Sequence, residues 1–526
     1  MKKCRRVVAL IVGALMCLLL LAACNPEQSA GSGSPGTGTA APPPDARLSE
    51  EIDIIVNDPI SVLHPFNPAA QAAAVRWVYN LIFDQLVTDL GEGKFAPELA
   101  TQWETADYQT ITMTLRDDVY FHNGDKFTAQ DVYYTVLASR DGPGSTGFEA
   151  WRSVDTVTVI DPTTIQFVLH NVNVDFLHAI SLPAAGILNQ RAMTESPELG
   201  SMIGTGAFYV TEFVSNDVAR FTRNDNWWGD EPPITQRLVL RFVPEIGART
   251  IMIQNSESQV CFAISSEDMH LFEKEPNRFS IFPYVLGSPN TISFNMTDPI
   301  TGDRNFRMAV IHAINREEIA LAAMGDLALA ETEGTVYGYA TEFRDRDIPP
   351  YPYDLNKAKA YLAASSYNGE TVAITAAQSM NIRAAEFAQQ QLARIGINIE
   401  VNRVDSPSLS AMSRYADNRT QMTMHISTKS LSASSYRNWI QAGAALNRAS
   451  YNNPAVNEML DRAGTIIDVN ERAELYKEIQ RIVVEDSPWF TMFYQVIGLV
   501  TVKGVGGMEL RTDHNNDLRW IYWVLD

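Results

Sequence analysis

Eight histidines, four cysteines and a few Gly-x-Ser and Gly-x-Gly strings are the places to look for chemistry in this 526-residue sequence. The histidines stand at 64, 122, 170, 178, 270, 312, 425 and 514, with no HExxH string and no cysteine pair at ligand spacing. His170 and His178 are too far apart for one helical turn. No metal ligation is expected. Gly91-x-Gly93 has neither a third glycine nor a following helix, so it reads as a turn and no cofactor is expected. The Gly-x-Ser fragments within residues 25–47 lack the strand before and the helix after that a nucleophile elbow needs. No nucleophile–base spacing stands out elsewhere, so no catalytic residue is assigned and an enzyme is not expected.

One cysteine does have a chemical context. Lys2, Lys3, Arg5 and Arg6 precede an apolar run from Val7 to Ala23, the pattern of an export signal. It ends Leu21-Ala22-Ala23-Cys24, which resembles the lipobox of bacterial lipoproteins. That resemblance implies a signal peptide over residues 1–23, cut before Cys24, and a diacylglyceryl group on the Cys24 sulfur. Two acyl chains suffice for stable anchoring, so the protein is expected on the outer face of the bacterial cytoplasmic membrane, or in the periplasm, without crossing the bilayer. Loss of residues 1–23 leaves Cys261 as the one cysteine besides the lipidated Cys24, so no intramolecular disulfide is expected. Cys261 lies in Val260-Cys261-Phe262-Ala263-Ile264 and reads as a buried thiol. Residues 24–47, rich in Gly, Ser, Pro, Thr and Ala, form a flexible linker with a reach of roughly 25 Å.

The whole chain carries 41 basic and 62 acidic side chains, a formal charge of −21, which becomes −25 without the signal. No basic face is available for a phosphate backbone, so a nucleic-acid partner is excluded. At 46% hydrophobic and 20% charged, the composition is that of an ordinary globular protein of two or more domains.

The first half is strand-rich. Strands are predicted at Glu51–Val56, Thr110–Arg116, Ala207–Glu212, Val218–Arg223 and Leu238–Val243, with a hairpin over Val157–Ile160 and Ile165–Leu169. A helix is predicted over Ala70–Leu86, and Thr128-Ala129-Gln130-Asp131 caps another through Val132–Leu137. After about Asn295, Phe306, Ala309, Val310, Ala313 and Ile314 recur at helical spacing, and Asn315 with Glu318 forms a capping box. Thr371–Thr375, the helical Asn381–Ile395 ending at Gly396, and the alternation of Ile397, Ile399 and Val401 make a βαβ unit with locally parallel strands. Asp468 with Glu471 caps a long helix that Pro488 ends, followed by short strands at Trp489–Tyr494 and Gly498–Val502.

These residues together resemble the family 5 extracellular solute-binding proteins of ABC transporters, the peptide-, oligopeptide- and nickel-binding type. Pro97-Glu98-Leu99-Ala100, Trp103, Thr114-Leu115-Arg116, Phe121 to Gly124 and Thr128-Ala129-Gln130-Asp131-Val132 follow the family's order. Gly204-Thr205-Gly206-Ala207-Phe208, Asn224 with Trp227-Trp228-Gly229, and Phe294-Asn295 with Arg307 and Ala313-Ile314-Asn315-Arg316 continue it, as do Tyr353-Asp354, Gly396-Ile397 and Glu471-Arg472 through Pro488. Arg116 and Arg307 read as residues holding carboxylates or helix ends.

The resemblance implies an α/β, two-lobed periplasmic-binding-protein-like fold (type II, cluster C), with an extra subdomain in lobe I and a two-strand hinge. Lobe I would be residues 48–288 plus 492–526, its extra subdomain about 70–200, and lobe II would be 289–491. It further implies a monomer that captures a short peptide or similar polar solute between its lobes and delivers it to the transmembrane subunits of an ABC permease. A nickel chelate, a glycoside, an opine-like solute or a purely sensory role are the alternatives. By position in the family, Asn67, Gln71, Trp151, Tyr337, Tyr339, Ser427 and Trp439 are the candidate ligand-binding residues. Trp and Tyr offer an apolar face with a polar tip, which suits mixed ligands. The family's W-x-x-D segment, whose Asp pairs with a peptide amino group, is replaced here by His425-Ile426-Ser427-Thr428-Lys429-Ser430-Leu431-Ser432. That partner for a free amino terminus is absent, and Lys429 offers a cation instead.

Overall fold

The computed structural model describes residues 41–66, 73–91, 93–141, 149–331, 341–426, 432–510 and 516–525. One large mixed sheet organises them. Its strands run in the order Asn398–Arg403, Thr371–Ala376, Met422–Ile426, Phe279–Phe294, Trp489–Val502, Val260–Ile264, Glu51–Val56, Arg237–Phe242, Val218–Arg223 and Phe208–Val214, with Ala328–Ala330 paired beside Trp489–Val502. A separate four-stranded antiparallel sheet is formed by Ala100–Glu104, Thr110–Leu115, Thr164–Leu169 and Val154–Asp161.

Parallel pairing occurs at both ends of the large sheet. Glu51–Val56 lies between Arg237–Phe242 and Val260–Ile264, parallel to both. Thr371–Ala376 lies between Asn398–Arg403 and Met422–Ile426, again parallel to both. The second set includes the predicted βαβ unit. Its helix, Ser379–Ala393, stops just before Gly396, whose φ of +90° suits a residue without Cβ.

The two long strands, Phe279–Phe294 and Trp489–Val502, pair antiparallel from Phe279↔Val502 to Ser293↔Trp489, with a register shift between Val285 and Pro289. Sequence reading predicts two short strands in place of the second. The structure joins them, because Val496 and Ile497 go on pairing with Val285 and Tyr284 across the polar interruption at Gln495.

Three apolar cores form. The first draws on Ile52 to Leu286 and on Leu499 to Ile521. The second runs from Ile292 to Met424 and takes Phe490, Met492 and Phe493 from the second long strand. The third packs Trp439, Tyr436, Leu475, Tyr476 and Ile479 around the helix Val469–Asp486. The long strands therefore leave one body and enter the other, and the bodies are called lobe I and lobe II below.

Local signals explain several boundaries. Asn315 accepts from the Glu318 amide and Asp468 from the Glu471 amide, as capping residues do. The predicted helix Ala70–Leu86 is described over Ala73–Ile82 and stops short of Leu86. Its end is taken by the Gly204-Thr205-Gly206 turn, where Gly206 N–H donates to the Ile82 carbonyl at 2.8 Å. A Cβ on Gly204 would stand 2.0 Å from that same oxygen, so the turn can approach only as glycine.

Candidate functional site

In open α/β sheets, ligands bind beyond the carboxyl ends of the parallel strands. In lobe II those ends are Ala376, Arg403 and Ile426, and Ile426 stands opposite Asn290 on the first long strand. The polar groups at this edge are poorly satisfied. Asn290 is fully buried, its Nδ2 donates to the Met380 sulfur at 4.0 Å, and its Oδ1 has no partner. Gln495, on the other long strand, donates to the sulfurs of Met380 at 3.4 Å and Met324 at 3.7 Å. Asn381 lies in the first turn of the helix Ser379–Ala393, buried, with an unpartnered Oδ1. Thioether sulfur is a weak acceptor, so these three carboxamides hold unused hydrogen-bonding capacity. Such groups are costly to bury unless something polar completes them.

The opposite face of the same sheet is also polar. Ser293 Oγ and His425 Nε2 share a hydrogen bond of 2.7 Å, and the Trp439 ring stacks on His425 with centroids 6.0 Å apart and planes 4° from parallel. The hydroxyls of Thr291 and Thr423, on adjacent strands, are buried without partners.

Where the lobes face each other the side chains are charged. His178 and Asp89, both of lobe I, are 2.6 Å apart. Burial pulls the His178 imidazole down, but the Asp89 hydrogen bond and the charges of Asp89, Asp175 and Glu342 outweigh it and raise its pKa. Asp175 of lobe I stands 3.6 Å from Arg472 of lobe II. Glu342 accepts from the Ala433 amide at 3.0 Å, and its carboxyl is raised first by burial and then by the charge of Asp175. Beneath these, Arg344 donates to Glu331 at 2.8 Å and to the Tyr494 hydroxyl at 3.0 Å, and Tyr494 donates to Glu331 at 2.6 Å. This buried triad fixes the second long strand to the segment that carries Glu342.

Of the candidate ligand residues, Asn67, Gln71, Tyr337, Tyr339 and Ser427 lie outside the described residues, as do Lys429 and Cys24. Trp439 is nearly buried beside the polar face of lobe II. Trp151 is a core residue: it has no exposed surface, stacks with Phe167 at 6.1 Å and meets Phe176 edge-on at 6.2 Å. Asn290, Asn381, Gln495, Asp175 and Arg472 escape sequence reading. The signal available for one of them was a polar residue interrupting an apolar run, Gln495 between Met492-Phe493-Tyr494 and Val496-Ile497.

Other conspicuous residues have structural partners. Arg307 donates to the carbonyls of Thr301, Gly302, Asp486 and Ser487, so it holds a helix end. Arg116 pairs with Asp118 at 2.7 Å and lies over the Trp228 ring. His122 bridges Gly204 and Gly206, with burial pushing its imidazole down to about 4. Burial pushes the Cys261 thiol up to about 12, which leaves it unreactive. Among the described residues, no group of three or more His, Cys, Asp or Glu side chains could hold a metal ion, and no helix is long and apolar enough to cross a membrane.

Comparison with known proteins agrees with this arrangement. Residues 94–448 match the family described as bacterial extracellular solute-binding proteins, family 5 Middle. The glutathione-binding protein GsiB of Escherichia coli (strain K12) is 24% identical over 505 residues, covering 91% of this chain and 95% of GsiB. Among solved structures, DppA of Helicobacter pylori in complex with the peptide STSA superposes with a TM-score of 0.75 at 20% identity, over 91% of this chain and 99% of DppA. NikA of Brucella suis in complex with Fe(III)-EDTA gives 0.78 at 19% identity, over 90% and 99%. Both neighbours are two-lobed binding proteins, and the long paired strands running from one lobe into the other are that fold. The chain is therefore a member of the bacterial extracellular solute-binding proteins, family 5.

Proposed function

We propose that this protein captures a short peptide, or a similar polar solute rich in amide groups, between its lobes and hands it unchanged to an ABC permease. The observation that carries this reading is the hinge edge of lobe II. There Asn290 and Asn381 keep buried acceptors unpartnered, and Asn290 and Gln495 spend donors on thioethers. A residue of an extended peptide presents its own N–H and C=O on the same side, one donor and one acceptor that a carboxamide can satisfy. Solute touching both lobes would favour the closed arrangement by its contacts with the second lobe.

The likeness to a glutathione-binding protein and to a binding protein holding the peptide STSA supports the peptide class. Cys24 is the proposed lipid-bearing residue, with the linker to residue 47 as its tether and the protein working outside the cytoplasmic membrane as a monomer. No covalent change to the solute is part of this reading. Native mass spectrometry of the purified protein tests it: a bound mass that dissociates as an intact peptide or related amide is the expected result. Protein without bound solute that takes up no member of a di- to pentapeptide panel would count against it. Deleting the gene should abolish uptake of the same solute.

A further inference from the structure

Asp175 occupies the N-cap position of the short helix Phe176–Ile180, yet its side chain makes no capping hydrogen bond. Its carboxylate turns instead to Arg472 of lobe II, Oδ1 to Nη1 3.6 Å, with side-chain exposures of 18% and 8%. The helix of Asp175 packs into the lobe I core through Phe176, Leu177 and Ile180. The helix of Arg472 packs into lobe II through Leu475, Tyr476 and Ile479. Neither side chain can follow the other if the lobes part. The Arg472 guanidinium also lies 5.6 Å over the ring of Phe343, which stacks on Tyr476, so the cation is presented from a rigid platform.

We propose that Asp175 and Arg472 form a latch that holds the lobes closed in the absence of solute. This inference rests on the reading that the protein works by lobe closure. The energetic reason is that the pair is mostly removed from water, where an ion pair is less screened than at a surface. Opening gives up that attraction, and the hydration the two charges regain offsets part of the loss. The latch makes the closed, binding-competent state a sizeable fraction of the free protein. Because apparent affinity scales with that fraction, the latch tightens solute binding while slowing entry.

The test uses the full mature chain, stripped of solute by unfolding in denaturant and refolding. Small-angle scattering is measured for wild type and for Arg472→Gln, Asp175→Asn and Arg472→Lys. Wild type and Arg472→Lys, which keeps the charge, should be compact, whereas Arg472→Gln and Asp175→Asn should be expanded. With a mixture of Ala-Xaa-Ala tripeptides as probe, Arg472→Gln should bind about tenfold more weakly yet associate faster than wild type. A merely structural role for Arg472 would not accelerate association. Equal scattering from stripped wild type and from both neutralising variants would overturn the latch. If tripeptide still compacts all of them, solute capture stands without it. If tripeptide compacts none, the capture reading fails while the comparison of stripped proteins still decides the latch.

Discussion

The indole N–H of Trp228 donates to Asp84 Oδ2 at 2.7 Å, and the Trp227 indole and the Thr205 hydroxyl reach the same oxygen at 3.4 and 2.9 Å. Burial raises the Asp84 carboxyl, and the charge of Arg519 and these three donors oppose that rise. Its neighbour Glu98 is pushed up to about 8, first by burial and then by the charge of Asp84.

A pH dependence of stability follows. Glu98 binds its proton more tightly in the folded chain than in the unfolded one, where a value of 4.5 applies. Its contribution is fully present below that value, declines as pH rises from there to about 8, and levels off above. The loss is on the order of 5 kcal/mol. Thermal melting between pH 5 and 9 should show it, and Glu98→Gln should flatten the profile in that window. A profile unchanged by Glu98→Gln would refute the assignment.

Trp151→Ala empties a site enclosed by Phe167 and Phe176, at a cost of about 3–5 kcal/mol. Chemical denaturation should show a lowered midpoint. Calorimetry on the fraction that stays folded should find solute affinity close to wild type, the signature of packing rather than contact.

At Asn290 the expected signs are reversed. Asn290→Leu removes a buried acceptor that has no partner and keeps the branched shape of the side chain. The solute-free protein should melt at or above the wild-type temperature, because an unsatisfied buried group costs about 1–3 kcal/mol. Affinity for the co-purified solute should fall at least about tenfold, the worth of one hydrogen bond left unmade. Unchanged affinity would take Asn290 out of the site.

Arg307→Lys replaces a planar fork by a single ammonium where four carbonyl oxygens are spread around the guanidinium. We expect a loss of about 2 kcal/mol in stability with no change in solute affinity, measured by denaturant titration and calorimetry on the same samples.

Much of the scaffold could be read from residue order. Short-range physics fixes the alternation of Ile397, Ile399 and Val401, the caps at Asn315 and Asp468, and the Gly204–Gly206 turn, and the structure places all of them as expected. The site was far less readable. Asn290 meets Met380 across 90 positions, and Asp175 meets Arg472 from the other lobe, so neither pairing leaves a local pattern. Trp151 shows a different ambiguity. An aromatic residue with a polar tip suits a cleft and a core equally well, and only its enclosure by two phenylalanines separates the two.

Capture by closure is tested most directly by small-angle scattering on the Arg472→Gln protein, stripped of bound solute and then titrated with the peptide identified by mass spectrometry. The radius of gyration should contract with the same midpoint that calorimetry finds for binding. Saturated binding with no change in the scattering curve would mean that the lobes do not close on their ligand.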